Sequence, residues 1–424
     1  MPHTGVDDMA RFTKLVIVLL LINIAVTYLV LLTRNASTGP DRFNIDTDTV
    51  IRNNYEETTM QSQDQTASNH RDPYGENHHN SNNTYLHSED NVNVLVLASM
   101  RTGSSFVGEI FKQNKEFLYI FEPLRGLNLK DDDPMLPVLG LEMMNDMYNC
   151  NFSTPATNAF LDKLYNARVP LGKRDVVSAW VNKKYCTGWS QKFQFFNRCL
   201  NLNSDTAEES CTSFKYKAIK IIRLHDLNSF VYLVRDPKVN LKIINVLRDP
   251  RAMMASVIPI AIHNYKAFTK EKTNFVLKKD QLSPESLQRL KTYCAMGMRN
   301  YLLGTKGKRV LGNSYFHVRY EDMASDPEKI ALQIYEFLGI EFPQRVSEWI
   351  QENTNEDMTE HALYAFKTKR NSKETSQKWR HRLNYDLVEE IENTGECARF
   401  MEVMGYRKAE SQHMLSNMSI PFVL

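Results

Sequence analysis

The 424-residue sequence predicts an α/β fold: a P-loop-like parallel sheet flanked by helices, preceded by an N-terminal transmembrane helix. Three observations carry this. Residues 92–98 (VNVLVLA) form a short apolar run rich in β-branched side chains, as expected of a strand buried on both faces. A polar turn containing Gly103 follows, and then apolar residues at Phe106, Val107, Ile110 and Phe111, which is helical spacing. Farther on, strand-like runs alternate with helical segments, the order of a parallel sheet covered by helices.

Taken along the chain, residues 1–14 read as a cytosolic tail and 15–33 (LVIVLLLINIAVTYLVLLT) as a signal-anchor. That stretch carries no charge and approaches the ~20 apolar residues a membrane-crossing helix needs. A cleaved signal peptide is the competing reading, but its apolar core would be about 7–15 residues with a small-x-small site after it. Arg11 and Lys14 on one side face Arg34 and Arg42 on the other, so charge barely decides orientation. The sequons at Asn35, Asn82, Asn151 and Asn417 all follow the span, which favours a lumenal C-terminal portion. Residues 34–91 are rich in Asn, Asp, Ser, Thr, Gln and His and lack the apolar surface to offset chain entropy, so they read as a flexible stem.

The ordered domain is expected over 92–410, with 411–424 as a tail. After the first strand and helix (105–113), strands are expected at 118–121, 218–223, 242–247 and 315–319. Helices are expected at 250–265, 284–303, 327–338, 343–353 and 386–404. The net charge of +2 singles out no partner, and no nucleic acid is expected. Cys150, Cys186, Cys199, Cys211, Cys294 and Cys397 include no C-x-x-C pair, so no metal site is expected. In a lumenal domain an even number suggests disulfides, with about 15 connectivities open.

Two motifs carry chemistry. In the first, Arg101-Thr102-Gly103-Ser104-Ser105, Gly103 permits a tight turn and close backbone approach to a phosphate. Its hydroxyls, the Arg101 charge and the N–H groups of the helix that follows all suit an anion. The competing reading is a well-capped helix. A Walker loop (G-x-x-x-x-G-K-[ST]) is absent, so a metal-dependent kinase or NTPase loses support. The second motif is Val246-Leu247-Arg248-Asp249-Pro250-Arg251. Asp249 suits an N-cap and Pro250 the first helical position, which starts a helix just beyond Arg248. Ser256, two turns along, can join Arg248 on one phosphate. The competing reading is an Arg248–Asp249 ion pair. Residues 233–238 (LVRDPK) imitate this motif but lead into a strand, with Ile243 where the serine should be, and are rejected as a ligand site.

Together, MRTGSSFV and VLRDPRAMMAS resemble the 5′-phosphosulfate loop and 3′-phosphate motif of sulfotransferases, and more closely the Golgi chondroitin, keratan sulfate and GlcNAc 6-O-sulfotransferases. Supporting pieces are FEPL (121–124), YFHVRYEDMASDP (315–327), IYEFLGI (334–340) and RNSKETSQKWR (370–380). The likeness spans roughly 92–408 and is poor over 131–213, where acceptor preference is expected to reside. It implies the sulfotransferase fold and 3′-phosphoadenosine 5′-phosphosulfate as co-substrate, without a metal. It also implies a glycosaminoglycan or glycoprotein glycan as acceptor and a single-pass type II place in the Golgi membrane. Arg101, Thr102, Gly103, Ser104, Ser105, Phe106 and Val107 would hold the 5′-phosphosulfate, and Arg248 and Ser256 the 3′-phosphate.

Transfer also needs a base for the acceptor hydroxyl. Glu122 is the first candidate, on the expectation that its strand lies beside the phosphosulfate loop. Its competing reading is a structural pair with Arg125 or another cation. His225 is the reserve, and Lys220 and Arg223 are candidate sulfonate or glycan contacts. Arg370, Trp379 and Arg380, in a basic stretch, are candidate donor or glycan contacts. A membrane-tethered glycan-binding protein that kept the fold and lost catalysis is the alternative function. The oligomeric state stays open, a homodimer being one option.

Overall fold

β1 (Asn93–Ala98) forms the centre of the main sheet, and both of its faces are apolar. Leu95 and Leu97 enter one core cluster, while Val94, Val96 and Ala98 enter another on the opposite face. The computed structural model describes residues 91–166, 169–170, 178–182, 184–186, 195–196, 199–262, 276–354 and 372–424. The expected cytosolic tail, signal-anchor and stem, with Asn35 and Asn82, lie outside the described residues, as does Arg370. No helix among the described residues is long and apolar enough to cross a membrane.

Besides β1, the strands are β2 (Phe117–Phe121), the two-residue β3 (Val169–Pro170) and β4 (Phe195–Phe196), β5 (Tyr216–Ile221), β6 (Leu241–Leu247) and β7 (Tyr315–Arg319). The main sheet is wholly parallel in the order β2-β5-β1-β6-β7, and β3 pairs antiparallel with β4 in a separate ladder. The expected main-sheet strands therefore all exist, with ends shifted by no more than two residues.

Helix α1 (Ser104–Gln113) buries Val107, Ile110 and Phe111, as its spacing predicts. Between β2 and β5 lie α2 (Met135–Tyr148), α3 (Pro155–Asn166) and α4 (Ser204–Thr212), none of them anticipated. α5 (Pro250–Ile262) starts as expected: Asp249 accepts the Met253 N–H on its carbonyl at 2.9 Å and the Arg251 N–H on its carboxylate at 2.9 Å. α6 (Pro284–Lys306) is capped by Ser283, whose side chain accepts from the Ser286 N–H. α7 (Tyr320–Ser325), α8 (Pro327–Leu338) and α9 (Gln344–Thr354) follow β7. The single helix expected over 386–404 is instead two, α10 (Tyr385–Glu392) and α11 (Cys397–Val403). Gly395, at φ +52°, takes a left-handed conformation in the turn between them.

Residues 411–424 are not a free tail. They hold α12 (Gln412–Ser416), bury Leu415 and Phe422 in the core, and pair Val423 with Tyr406. Apolar side chains at these positions gain by docking. The disulfides, left open by the sequence, join Cys150–Cys211, Cys186–Cys199 and Cys294–Cys397. Three bridges with no free cysteine fit an oxidising, secretory compartment.

Candidate functional site

In an open parallel sheet, ligands bind beyond the carboxyl ends of the strands where the order reverses. Here that place is the end of β1, between β5 and β6. The loop leaving β1 turns through two left-handed residues, Arg101 (φ 70°) and Gly103 (φ 90°). The Thr102 hydroxyl donates to the Ser99 carbonyl at 2.8 Å and fixes the bend. A Cβ on Gly103 would lie 2.2 Å from the Tyr320 ring, so glycine is required for packing as well as for backbone angle. No side chain caps α1 at Gly103, which leaves first-turn N–H groups facing outward. Thr102 and Ser104 are buried, Arg101, Ser105 and Phe106 half-buried. The Val107 side chain belongs to the core and offers the site only its backbone.

Arg248, at the end of β6, lies against this loop. Its Nη1 donates to the Arg101 carbonyl at 2.9 Å, and its guanidinium stacks over the Tyr320 ring at 4.1 Å. Its Nε is buried with no hydrogen-bond partner among the described residues. A buried donor left unpaired is costly, and a bound anion would satisfy it. The ion pair weighed for Arg248 and Asp249 is absent, because Asp249 is taken by Arg251. Arg251 Nη2 meets Asp249 Oδ2 at 2.6 Å and its Nη1 meets Glu392 Oε1 at 2.7 Å. The Arg251 guanidinium also lies 4.4 Å from the Trp379 ring and 4.9 Å from Phe422. The first arginine of the motif is thereby not paired with Asp249, while the second is fully buried. Ser256 sits half-buried, two turns into α5.

Two groups missed by the sequence reading hold this turn. The Asp249 N–H donates to Glu321 Oε1 at 3.2 Å, and the Tyr406 hydroxyl donates to Glu321 Oε2 at 2.7 Å. Glu321 stood in plain view in YFHVRYEDMASDP, but nothing local said that its carboxylate points inward. Burial and the nearby Asp249 charge push its pKa up to about 7, from an ordinary 4.5. A carboxyl whose folded pKa is raised contributes stability that is complete below about 4.5 and lost as pH rises through about 7. At ~1.4 kcal/mol per pKa unit this amounts to about 3 kcal/mol. Thermal denaturation should therefore show stability falling between about pH 5 and pH 8, with Glu321→Gln flattening the fall. An equally steep fall in that variant would assign it elsewhere.

The candidate bases stand at different distances from the loop. The expectation that β2 lies beside β1 is corrected: β5 lies between them. A parallel β1–β2 pair would need the intervening strand's place, and β5 is matched to both neighbours in register. Glu122, at the end of β2, is buried, holds a left-handed φ of 46°, and is ion-paired with both Lys220 and Arg125. Lys220 is itself buried, and desolvation lowers its pKa against the raising influence of Glu122. His225 Nδ1 lies 3.3 Å from the Ser99 hydroxyl at the loop's start, with its pKa lowered by burial. Arg223 is occupied as a clasp, bonded to Asp131 and to the carbonyls of Leu124 and Leu129. The structure also redirects Arg380 and Trp379. All five Arg380 N–H donors are used, on the carbonyls of Met414, Leu415, Asn417 and Ile420 and on the Gln377 side chain. Trp379 is a buried packing partner of Arg251 and Phe422. Both contact the C-terminal segment, Arg380 through its carbonyls and Trp379 through Phe422.

A Sulfotransferase domain model matches residues 91–405, most of the chain. The chain belongs to the sulfotransferase family. Among curated proteins it is 31% identical to carbohydrate sulfotransferase 1 of Homo sapiens, over 78% of this chain and 83% of that protein. It is 32% identical to carbohydrate sulfotransferase 3 of Mus musculus, over 77% of this chain and 70% of that protein. The match makes this chain a homologue of carbohydrate sulfotransferases. Among solved structures, the sulfotransferase domain from the curacin biosynthetic pathway aligns over 75% of this chain and 98% of its own, at 15% identity and TM-score 0.40. A mouse sulfotransferase solved with PAP aligns over 78% and 89%, at 13% identity and TM-score 0.34.

Proposed function

We propose that this protein transfers sulfonate from 3′-phosphoadenosine 5′-phosphosulfate to the 6-hydroxyl of a sugar (GalNAc, Gal or GlcNAc) in a glycosaminoglycan such as chondroitin or keratan sulfate. It does so as a single-pass type II protein of the Golgi membrane, its catalytic domain lumenal. The observation that carries the reading is the pairing of an uncapped helix N-terminus with an arginine whose buried Nε has no partner among the described residues, the two joined by the Arg248–Arg101 hydrogen bond at 2.9 Å.

In this reading the loop from Arg101 to Val107 receives the 5′-phosphosulfate, and Arg248 with Ser256 receives the 3′-phosphate. The acceptor oxygen forms a bond to sulfur as the bond from sulfur to the bridging phosphate oxygen breaks. The leaving oxygen's charge falls on Arg101 and the α1 N–H groups. The acceptor proton passes to Glu122, whose strained backbone angle is of a kind that gathers at functional sites; Lys220 and Arg125 hold its carboxylate in place. His225 is the second candidate, supported by its contact with Ser99.

Transfer of 35S from labelled donor to desulfated chondroitin, keratan and GlcNAc-terminated acceptors tests this. Incorporation into at least one is expected. Incorporation into none, with glycan still bound, would favour the non-catalytic alternative. Glu122→Gln should slow turnover about a hundredfold or more while sparing PAP affinity. The same loss in His225→Gln, with Glu122→Gln active, would move the base to His225.

A further inference from the structure

Between the end of β6 and the start of α5 the chain has a gap in its hydrogen bonding. Leu247 is the last residue of β6 in register with β7. Helical bonding begins at the Asp249 carbonyl, which accepts from Met253. Pro250 has no N–H, and Arg248 belongs to neither ladder nor helix. Its N–H and carbonyl are buried and need partners from elsewhere.

One atom supplies both. The Tyr293 hydroxyl, from the middle of α6, accepts from the Arg248 N–H at 2.8 Å and donates to the Arg248 carbonyl at 2.6 Å. Tyr293 is buried, and desolvation drives its pKa upward, which keeps the hydroxyl protonated as this double role requires. Its ring packs edge-on against Phe400, and the next residue, Cys294, is bonded to Cys397 of α11. The hydroxyl therefore sits on a doubly anchored piece of helix.

We infer that Tyr293 is a positioning residue for recognition of the 3′-phosphate, its hydroxyl fixing the Arg248 backbone so that the guanidinium meets that phosphate. This rests on the function proposed above and adds to it. In this reading Tyr293 acts through Arg248, to whose N–H and carbonyl its hydroxyl is bonded. Without the hydroxyl the backbone at Arg248 loses both partners, and the side chain loses the fixed origin from which it reaches both the Arg101 carbonyl and the anion. Contacts to the 5′ side, made by the loop after β1, remain.

The test is calorimetric binding of PAP and of 5′-AMP, which lacks the 3′-phosphate, to the full-length protein and its variants. Wild type should prefer PAP. Tyr293→Phe should lose about tenfold in PAP affinity and little in AMP affinity. In an Arg248→Ala background the same change should have no further effect on PAP, because the residue it acts through is gone. Equal losses for the two nucleotides, or additive losses in the double variant, would make Tyr293 a structural residue only and overturn the inference. Should Tyr293→Phe not fold, Cys294→Ala with Cys397→Ala, which loosens the same helix, is measured instead, and an unchanged ratio of PAP to AMP affinity would overturn it. Wild type binding both nucleotides alike would defeat the proposed 3′-phosphate site itself, a different failure from either of these.

Discussion

Arg248→Ala is expected to weaken PAP binding about a hundredfold while the protein stays folded. Arg248 stands at the end of β6, and among the described residues its guanidinium meets the Arg101 carbonyl and the Tyr320 ring. A charge-assisted, bidentate contact between guanidinium and phosphate contributes roughly 3 kcal/mol, and each ~1.4 kcal/mol is tenfold in affinity. The loss to the fold is smaller. One hydrogen bond to a carbonyl is removed at about 1 kcal/mol, and an unsatisfied buried Nε disappears with it. Arg248→Lys should recover only part of the affinity, since a point charge cannot reproduce the fork or the stacking on Tyr320. The measurement is PAP titration by calorimetry beside a thermal melt. Full affinity in Arg248→Ala would remove the 3′-phosphate site from this end of β6. Lost affinity with a collapsed melt would recast Arg248 as a structural residue.

The same pair of arginines shows what a sequence reveals and what it hides. Arg248-Asp249-Pro250-Arg251 announces a helix start through Asp249 and Pro250, and that start is where local chemistry put it. The strands were legible for a similar reason: short runs of apolar residues between turns leave few alternatives when both faces are buried. Which arginine Asp249 would choose was not legible. The choice is made by Glu392, Trp379 and Phe422, which are remote in sequence and together enclose Arg251. Arg380 misled in the opposite direction. A crowd of basic residues suggests an exposed surface, yet this one is buried under carbonyls of the last dozen residues, a partner set that no window of sequence around it contains. Strand order failed likewise. β2 follows α1 directly, but β5 enters between β2 and β1, and that placed Glu122 one strand farther from the loop than expected. Helices α2 to α4 went unread because they lie in the segment where the family resemblance is poor, and a disulfide ties that segment together. Cys150 and Cys211 flank much of it and meet only in the fold.

Arg251→Met should be the most damaging single change to stability. Arg251 is entirely buried between Asp249 and Glu392, themselves nearly inaccessible. Burial raises the pKa of Glu392, and the Arg251 charge opposes that rise, so the carboxylate depends on the arginine to stay ionised. Removing the cation leaves two carboxylates in a poorly solvated space. Breaking a buried pair in this way costs about 3–5 kcal/mol, although replacing the whole set by apolar side chains can be neutral. The Arg407 carbonyl would also lose its donor, and the Trp379 and Phe422 rings their filling cation. In a domain of this size the melting temperature should fall by roughly 10 °C. Two companion substitutions, made together, separate charge from packing. Adding Asp249→Asn and Glu392→Gln to Arg251→Met should return part of the loss, because the stranded charges are gone while the cavity and rings are unchanged. No recovery would assign the damage to packing alone. PAP affinity in the folded fraction should fall as well, since Asp249 adjoins Arg248 and a carboxylate without Arg251 turns to the nearest cation. In the proposed function that cation, Arg248, is the one that meets the 3′-phosphate, so the structural arginine would protect the binding one by keeping its neighbour occupied.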